Sequence, residues 1–131
     1  MKGIFMNIII DFNSDEALYM QLRNQIILGI ATSQIKEGES LPSVRVMAED
    51  IGINMHTVNK AYTILRQDGF IRVDRRRGAV ICLDVDKLKA CSFIEEQMEP
   101  LIAQAVAAGI SKEELLDLIG SLYDKIDDDN E

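Results

Sequence analysis

The chain has 131 residues, 47% of them hydrophobic, and a formal net charge of −8 at pH 7. This length suits one domain, or one domain with an appendage, and the apolar fraction is ample for a buried core. Two cysteines without CxxC spacing and a single histidine predict no metal site, and no stretch is apolar and long enough to span a membrane. The apolar residues 3–10 are too few for a signal peptide, so we expect a cytoplasmic protein.

The acidic charge lies in the last third of the chain. Residues 1–84 carry 10 basic and 10 acidic side chains, whereas residues 85–131 carry 4 basic and 12 acidic ones. Salt screens charges that are more than about 8 Å apart at physiological ionic strength, so an anionic partner responds to local charge. The net charge therefore does not exclude a nucleic acid partner for the first segment.

The first 40 residues predict an extended entry segment, a helix and a connector. Residues 7–12 are rich in β-branched side chains, which favour extended backbone. Residues 13–16 (Asn-Ser-Asp-Glu) are typical of a helix start with acid in its first turn. The helix should run to about Thr32 and pack beneath the next segment, because apolar residues recur at helical spacing: Leu18, Leu22 and Ile26. The connector of residues 33–39 contains a turn at Gly38.

Residues 41–67 predict two helices joined by a tight turn. Ser43 is placed to cap the first helix, and Gly52 can adopt the left-handed backbone that ends it. Asn54 is placed to cap the second helix. Apolar residues at helical spacing predict the buried side of that helix: Val58, Ala61, Tyr62 and Leu65. Its polar residues should point outward: His56, Thr57, Asn59, Lys60 and Thr63.

Two short strands around a basic loop follow the second helix. Residues 70–73 and 79–82 predict the strands, and residues 74–78 (Asp-Arg-Arg-Arg-Gly) predict the loop. A helix-turn-helix followed by a basic hairpin is a winged helix-turn-helix, which places its second helix in the major groove of DNA.

Residues 84–131 predict two further helices. Residues 84–86 cap the first helix, and Gly109 ends it. Pro100 predicts a kink or a break within it, because proline lacks the amide donor. Ser111 begins a capping box (Ser-Lys-Glu-Glu) for the second helix, and residues 127–131 form a solvated acidic end.

Both C-terminal helices carry an apolar stripe. The first stripe consists of Leu88, Cys91, Ile94, Met98, Leu101, Ala105 and Ala108. The second consists of Leu115, Leu116, Ile119, Leu122, Tyr123 and Ile126. About 45 residues cannot readily form an independent core, so these helices must pack on the winged helix or on a second chain.

Several segments, in this order along the chain, resemble the DNA-binding domain of GntR-family transcriptional regulators. They include residues 17–22 (ALYMQL), 35–45 (IKEGESLPSVR) and 65–71 (LRQDGFI), and the resemblance spans about residues 15–82. Residues 54–62 (NMHTVNKAY) resemble the small YtrA-like branch, and so does the short remainder after the hairpin. The resemblance implies a DNA-binding regulator, C-terminal helices that dimerise on a two-fold operator, and control of genes for membrane transporters.

The resemblance also implies roles for individual residues. Arg45 falls on the arginine of the family's Pro-Ser-x-Arg motif, which contacts DNA, and a guanidinium can pair bidentately with guanine. Ser43 could touch a phosphate as well as cap its helix. Thr57 falls on a small hydroxyl suited to a phosphate or thymine contact, and Gly78 on a glycine of the wing, whose tip enters the minor groove.

Four positions depart from the family pattern. Met55 and Asn59 stand where many members carry arginine, and an asparagine there can pair with adenine. Arg76 replaces the first wing glycine, and Ala79 replaces a common threonine. The more basic wing favours phosphate or narrow minor-groove contacts over a tight glycine turn.

Plainer interpretations of the same residues stay open. Arg45 can pair with Glu49, four residues on, and the loop arginines can form a solvated tip. His56 fits a polar surface or phosphate contact better than a metal site. Cys82 and Cys91 fit small buried apolar residues better than redox sensors, a role that stays open. The alternative function is a winged-helix protein-interaction module that does not read DNA.

We therefore predict a mostly α fold with a small β-hairpin: a winged helix-turn-helix in residues 8–83 and a two-helix dimerisation segment with an acidic tail in residues 84–131. The expected function is a sequence-specific regulator, a homodimeric repressor of a palindromic operator in double-stranded DNA. We expect no catalytic residue, no cofactor and no membrane partner, and a small-molecule effector stays open. The predicted DNA contacts are Ser43, Arg45, Asn54, His56, Thr57, Asn59, Lys60, Arg75, Arg76, Arg77 and Gly78. The predicted dimer contacts are Leu88, Ile94, Met98, Leu101, Leu115, Ile119 and Leu122.

Overall fold

The computed structural model describes residues 8–129, and within them it contains five helices and one two-stranded antiparallel sheet. The elements are α1 (Leu18–Ala31), α2 (Val44–Ile51), α3 (Met55–Gln67), β1 (Ile71–Asp74), β2 (Gly78–Ile81), α4 (Lys87–Ala107) and α5 (Lys112–Asp128). This order confirms the predicted class, a mostly helical chain with a small hairpin. Asn7 of the predicted entry segment, and Asn130 and Glu131 of the acidic end, lie outside the described residues.

The chain divides into two compact units after Val85. The first unit contains α1, α2, α3 and the hairpin, and the second contains α4 and α5. The roles predicted for residues 8–83 and 84–131 remain predictions.

The core of the first unit forms around α3, which packs against α1, α2 and β1. The side chains of α3 that the helical spacing predicts to be buried are the buried ones: Val58, Ala61, Tyr62 and Leu65. They meet buried residues of the other elements: Leu22, Ile26, Met47, Ala48, Ile71 and Ile81. Full burial of a large aliphatic side chain stabilises a fold by roughly 1.5–3 kcal/mol, so this cluster orients the helix-turn-helix.

Helix α1 begins at Leu18, so the predicted start at residues 13–16 is wrong. Those residues form turns, in which the Asn13 backbone N–H donates to Asp11 Oδ1 (2.9 Å) and the Glu16 N–H donates to Ser14 Oγ (3.1 Å). Short polar side chains compete for backbone groups in this way and favour turns over a helix. The first turn of α1 itself contains no acidic residue.

Two glutamines of α1 hold the chain that precedes it. The buried Gln21 amide donates to the carbonyls of Asp11 (3.0 Å) and Glu16 (2.9 Å) and accepts from the Asp11 N–H (2.9 Å). One turn on, Gln25 Oε1 accepts from the Ile9 N–H (2.8 Å), and its Nε2 donates to the Ile9 carbonyl. The entry segment therefore pairs with side chains, and residues 8–11 belong to no helix or strand.

Both strands of the hairpin lie one residue closer to the loop than predicted: β1 is residues 71–74 and not 70–73, and β2 is residues 78–81 and not 79–82. Asp74 pairs with Gly78 in the register, so both belong to strands and the loop is residues 75–77. The connector before α2 runs beside β2. Its backbone bonds are Gly38 N–H to Ile81 O (2.9 Å), Ile81 N–H to Glu39 O (2.8 Å) and Leu41 N–H to Ala79 O (2.8 Å).

Helix α4 is continuous through Pro100, so of the predicted kink or break the break is wrong, and the kink stays a prediction. The proline removes one backbone donor, and the Glu96 carbonyl that loses it is in an exposed part of the helix where water can bind it. Asp86 Oδ1 caps α4 by accepting from the Leu88 N–H (3.0 Å), and Gly109, with φ of 79°, follows its end. The predicted capping box of α5 is confirmed: Ser111 Oγ accepts from the Glu114 N–H (3.1 Å), and Glu114 Oε1 accepts from the Ser111 N–H (2.9 Å).

The second unit exposes most of its apolar side chains. Within the described residues, Ala105 is the buried residue of α4 and α5 buries none. The two helices do not pack along their lengths. Cys91 is exposed and Cys82 is half-buried, so the prediction that both cysteines are buried is wrong. The cause for Cys91 is that the α4 stripe is left open in the single chain.

Candidate nucleic-acid interface

Local hydrogen bonds set the geometry of the helix-turn-helix. Ser43 Oγ caps α2 by accepting from the Val46 N–H (3.2 Å), and Asn54 Oδ1 caps α3 by accepting from the His56 N–H (2.7 Å). Gly52 has φ of 75°, in the left-handed region, at the end of α2. The predicted caps are therefore confirmed. The cap bonds use only the oxygens of Ser43 and Asn54 as acceptors, so the Ser43 hydroxyl and the Asn54 Nδ2 group can still donate to a phosphate.

One buried hydroxyl ties the second helix to the first. Tyr62 Oη donates to the Pro42 carbonyl (2.7 Å), which lies just before α2. Burial raises the pKa of the Tyr62 phenol well above its ordinary value, so the hydroxyl stays a donor at physiological pH. The angle between α2 and α3 is thus held by a side chain as well as by the turn.

Helix α3 carries four of the eleven predicted DNA contacts: His56, Thr57, Asn59 and Lys60. His56, Asn59 and Lys60 are exposed as predicted, whereas Thr57 and Thr63 are half-buried. Thr57 is half-buried because it lies one turn before the buried Ala61, on the same side of α3. Lys60 Nζ sits 4.0 Å from the centroid of the Tyr19 ring of α1. A cation–π contact at an exposed site is worth about 0.5–1 kcal/mol, which restrains the lysine without neutralising it.

The ion pair considered for Arg45 is present. Its guanidinium lies 3.5 Å from Glu49 Oε2, and both side chains are 66% exposed. An exposed pair of this kind on one helix contributes about 0.3–0.5 kcal/mol. A phosphate or a guanine can therefore displace Glu49 at little cost, and the guanidinium remains available.

The three arginines of the wing are placed differently. The backbone N–H groups of Arg76 (2.8 Å) and Arg77 (3.1 Å) donate to Asp74 Oδ1, which closes the loop. These two hydrogen bonds hold the pKa of Asp74 below its ordinary value, and the nearby Arg72 guanidinium lowers that pKa further. The Arg77 guanidinium donates to the Gly38 carbonyl of the connector. Arg75 and Arg76 are exposed, and the described residues offer their guanidinium groups no carboxylate partner.

A groove separates α3 from the hairpin, and we name it the helix–wing groove. It is lined by Ser43, Val44, Asn59, Tyr62, Thr63, Arg66, Ile71, Val73, Gly78 and Ala79. It brings together three predicted contacts from distant parts of the sequence, Ser43, Asn59 and Gly78. It also contains Arg66, which the sequence reasoning missed. The helical spacing of residues 59, 63 and 66 was the signal that could have found it, because these three positions share one face of α3.

The predicted dimer contacts lie on α4 and α5. Leu88, Ile94, Leu101 and Leu122 are exposed, and Met98, Leu115 and Ile119 are half-buried. Among the described residues, no helix is both long and apolar enough to cross a membrane, and no cluster of side chains has the composition of a metal site.

Comparison with known proteins identifies the family of this chain. Residues 15–81 match the family model described as "Bacterial regulatory proteins, gntR family". The transcriptional repressor YtrA of Bacillus subtilis (strain 168) is 35% identical over 109 residues, which are 81% of this chain and 84% of that protein.

Two solved structures are similar to this one. YtrA from Sulfolobus acidocaldarius, a GntR-family transcription factor, is 40% identical, with a TM-score of 0.59 over 70% of this chain and 96% of that chain. A transcriptional antiterminator from Listeria monocytogenes EGD-e is 27% identical, with a TM-score of 0.80 over 97% of this chain and 95% of that one. The winged helix-turn-helix, its capped helices and these matches together establish that the chain belongs to the GntR family of DNA-binding transcriptional regulators and is YtrA-like.

Proposed function

We propose that this regulator is a homodimeric repressor of a two-fold operator, with its dimer contacts on α4 and α5. The observation that carries the proposal is the exposure of the apolar stripes of both helices. In the single chain Leu88 is 82% exposed, Leu101 is 64% exposed and Leu122 is 51% exposed. Contiguous exposed apolar surface of this kind marks an interaction site.

A second copy of the chain is the partner that fits. In an isologous contact each copy contributes the same surface, so one two-fold axis buries both stripes of both chains. Helix α4 has 21 residues, which is about 32 Å at 1.5 Å per residue and long enough for lengthwise packing. A two-fold dimer also presents two recognition helices to one side of the duplex.

On each half-site, α3 would lie in the major groove. We assign base contacts there to Asn59, with His56 and Arg45 at the edges of the same surface. Phosphate contacts go to the two cap side chains and to two further polar residues of α3: Ser43, Asn54, Thr57 and Lys60. Arg75, Arg76 and Gly78 at the wing would reach the minor groove, where a narrow groove concentrates negative potential. Repression then follows from occupation of the promoter, and the repressor named among the relatives supports this direction.

Selection of bound duplexes from a random pool by the full-length chain tests this proposal. The recovered sequences should contain two inverted half-sites with centres about 34–36 Å apart, or a multiple of that spacing. Recovery of a single half-site without inverted symmetry would contradict the two-fold arrangement.

Arg45→Ala, carried through the same selection, tests the assignment of a base contact. We expect a loss of roughly 1–3 kcal/mol on the selected operator and relaxed preference at one position in each half-site, because one guanine would lose its bidentate partner. Glu49→Gln is the matched control: it breaks the ion pair but keeps the guanidinium, so affinity should be retained or should rise. Unchanged affinity of Arg45→Ala would remove Arg45 from the interface.

The resemblance to YtrA-like regulators extends the proposal to genes for membrane transporters. Loss of this protein from its cell should raise the transcript level of such genes beside its own. Unchanged levels of the neighbouring transcripts would contradict this extension. They would leave the DNA-binding proposal standing, because the duplex selection tests that proposal separately.

A further inference from the structure

We propose that the helix–wing groove seats one sugar-phosphate strand of the operator and that Arg66 is the ligand of a single phosphate within it. The inference rests on the proposed docking of α3 and the wing. It adds a binding site and a residue that the family resemblance does not assign.

The chemistry of the groove suits a phosphate. Arg66 is exposed, and the described residues place no carboxylate within ion-pair distance of its guanidinium. No acidic residue is among the side chains that line the groove, and Asn59, Thr63 and Ser43 add an amide and two hydroxyl groups. An arginine binds a phosphate through two parallel N–H donors, a geometry that lysine cannot reproduce.

The shape of duplex DNA leads to the same site. In B-DNA one backbone strand separates the major groove from the adjacent minor groove. If α3 occupies the major groove and the wing reaches the adjacent minor groove, that strand must cross the space between them, which is the helix–wing groove. At its wing side, a Cβ added to Gly78 would meet no protein atom within 4 Å, so the edge stays open to a ligand.

The strand β1 supplies a matched control. Ile71 and Val73 line the groove, and Arg72 alternates with them on the other face of the strand. Arg72 lies 3.5 Å from Asp74 Oδ2, outside the groove. Arg72→Gln therefore removes the same charge and the same type of side chain as Arg66→Gln, but from the opposite side of the hairpin.

The test is a scan of single neutral methylphosphonates along a duplex that the full-length protein selects. Wild-type protein should lose affinity at several positions, one for each phosphate contact. Arg66→Gln should bind the unmodified duplex roughly tenfold more weakly, with a salt slope lower by about 0.9, because one phosphate contact is lost. At one phosphate between the half-site bases and the wing site, the variant should be insensitive to the methylphosphonate.

The controls distinguish a wrong assignment of Arg66 from a failure of the proposed function. Arg72→Gln should keep the wild-type sensitivity at that phosphate, and Arg66→Lys should restore the salt slope but only part of the affinity. An unchanged thermal unfolding curve of Arg66→Gln would show that the exposed arginine is not needed for folding. If the wild type binds DNA and Arg66→Gln keeps full sensitivity at every phosphate, the assignment of Arg66 is wrong. If the wild type binds no duplex, the proposed function fails instead.

Discussion

The three consecutive arginines of the wing, Arg75, Arg76 and Arg77, have different surroundings. Asp74 accepts from the backbone of Arg76 and Arg77 and so shapes the loop that carries all three arginines. The Arg77 guanidinium then turns back to the Gly38 carbonyl, 39 residues earlier in the chain. Arg75 and Arg76 point to solvent. We infer that Arg77 positions the wing, whereas Arg75 and Arg76 bind phosphate.

Salt dependence distinguishes the two roles. Arg75→Ala and Arg76→Ala should each lower the slope of log affinity against log salt by about 0.9, because a phosphate contact is lost. Arg77→Ala should weaken DNA binding without changing the salt slope. It removes the hydrogen bond that holds the hairpin to the connector, and it removes no phosphate contact. Faster amide hydrogen exchange at residues 78–81 of that variant would report the loosened hairpin directly. A drop in slope for Arg77→Ala equal to that of Arg76→Ala would instead make all three arginines DNA ligands.

At the scale of elements, the last residues of the first unit approach the end of α3 closely at one glycine. Gly69 follows α3 with φ of 89°, and a Cβ there would lie 2.2 Å from the Asp84 carbonyl oxygen. The Asp84 N–H donates to the Gly69 carbonyl (3.0 Å), and the Cys82 N–H donates to that of Phe70 (2.9 Å). The residues that follow β2 are therefore hydrogen-bonded to the two residues that precede β1.

Gly69→Ala should destabilise the protein more than its backbone angle alone requires. Gly38 has φ of 91° but no atom within 4 Å of an added Cβ, so Gly38→Ala measures the conformational strain alone, about 1–2 kcal/mol. Gly69→Ala should cost a further 1–3 kcal/mol, roughly the penalty of overpacking, because backbone atoms must move. Urea unfolding of the two variants gives the comparison. Equal free energies of unfolding would mean that residues 84–85 shift without cost.

At the scale of the whole molecule, the two units differ in charge and in burial. The first unit has a closed apolar core and carries four of its seven arginines in the hairpin, whereas the second carries the acidic excess and open apolar stripes. A net charge of −8 is therefore compatible with DNA binding. Membership of a family of DNA-binding regulators argues against the alternative of a module that does not read DNA.

The exposure of Leu101 makes a clean test of dimerisation possible. Because this side chain is 64% exposed in the single chain, Leu101→Glu should leave the fold of each chain intact and separate the copies. Sedimentation at micromolar concentration should show a dimer for the wild type and a monomer for the variant. Affinity for the two-half-site operator should fall by roughly 100-fold or more, since the second contact is no longer intramolecular.

Ala103→Glu is the control for Leu101→Glu. It introduces the same charge at an exposed position two residues on, which lies on the opposite side of α4. This variant should remain dimeric. A wild-type chain that sediments as a monomer at micromolar concentration would contradict the proposed dimer.

Interactions between near neighbours could be predicted from the sequence by itself. The caps at Ser43, Asn54 and Ser111, the left-handed Gly52 and the buried stripe of α3 depend on residues at most a few positions apart. The start of α1 could not, because Gln21 and Gln25 bond backbone groups 5 to 16 residues earlier in the chain. The bounds of the hairpin could not either, because Asp74 and Gly78 are typical turn residues and yet pair with each other as the last and first residues of the strands.

The assembly of the site was decided only by the tertiary structure. Arg77 meets Gly38, Lys60 meets Tyr19, and the helix–wing groove joins three separate stretches of chain. Such pairings depend on how α1, α3 and the hairpin close around one core, and many packings satisfy the same apolar spacing. Sequence therefore determined the helix caps and the buried side of α3, and the fold decided which exposed side chains lie beside one another.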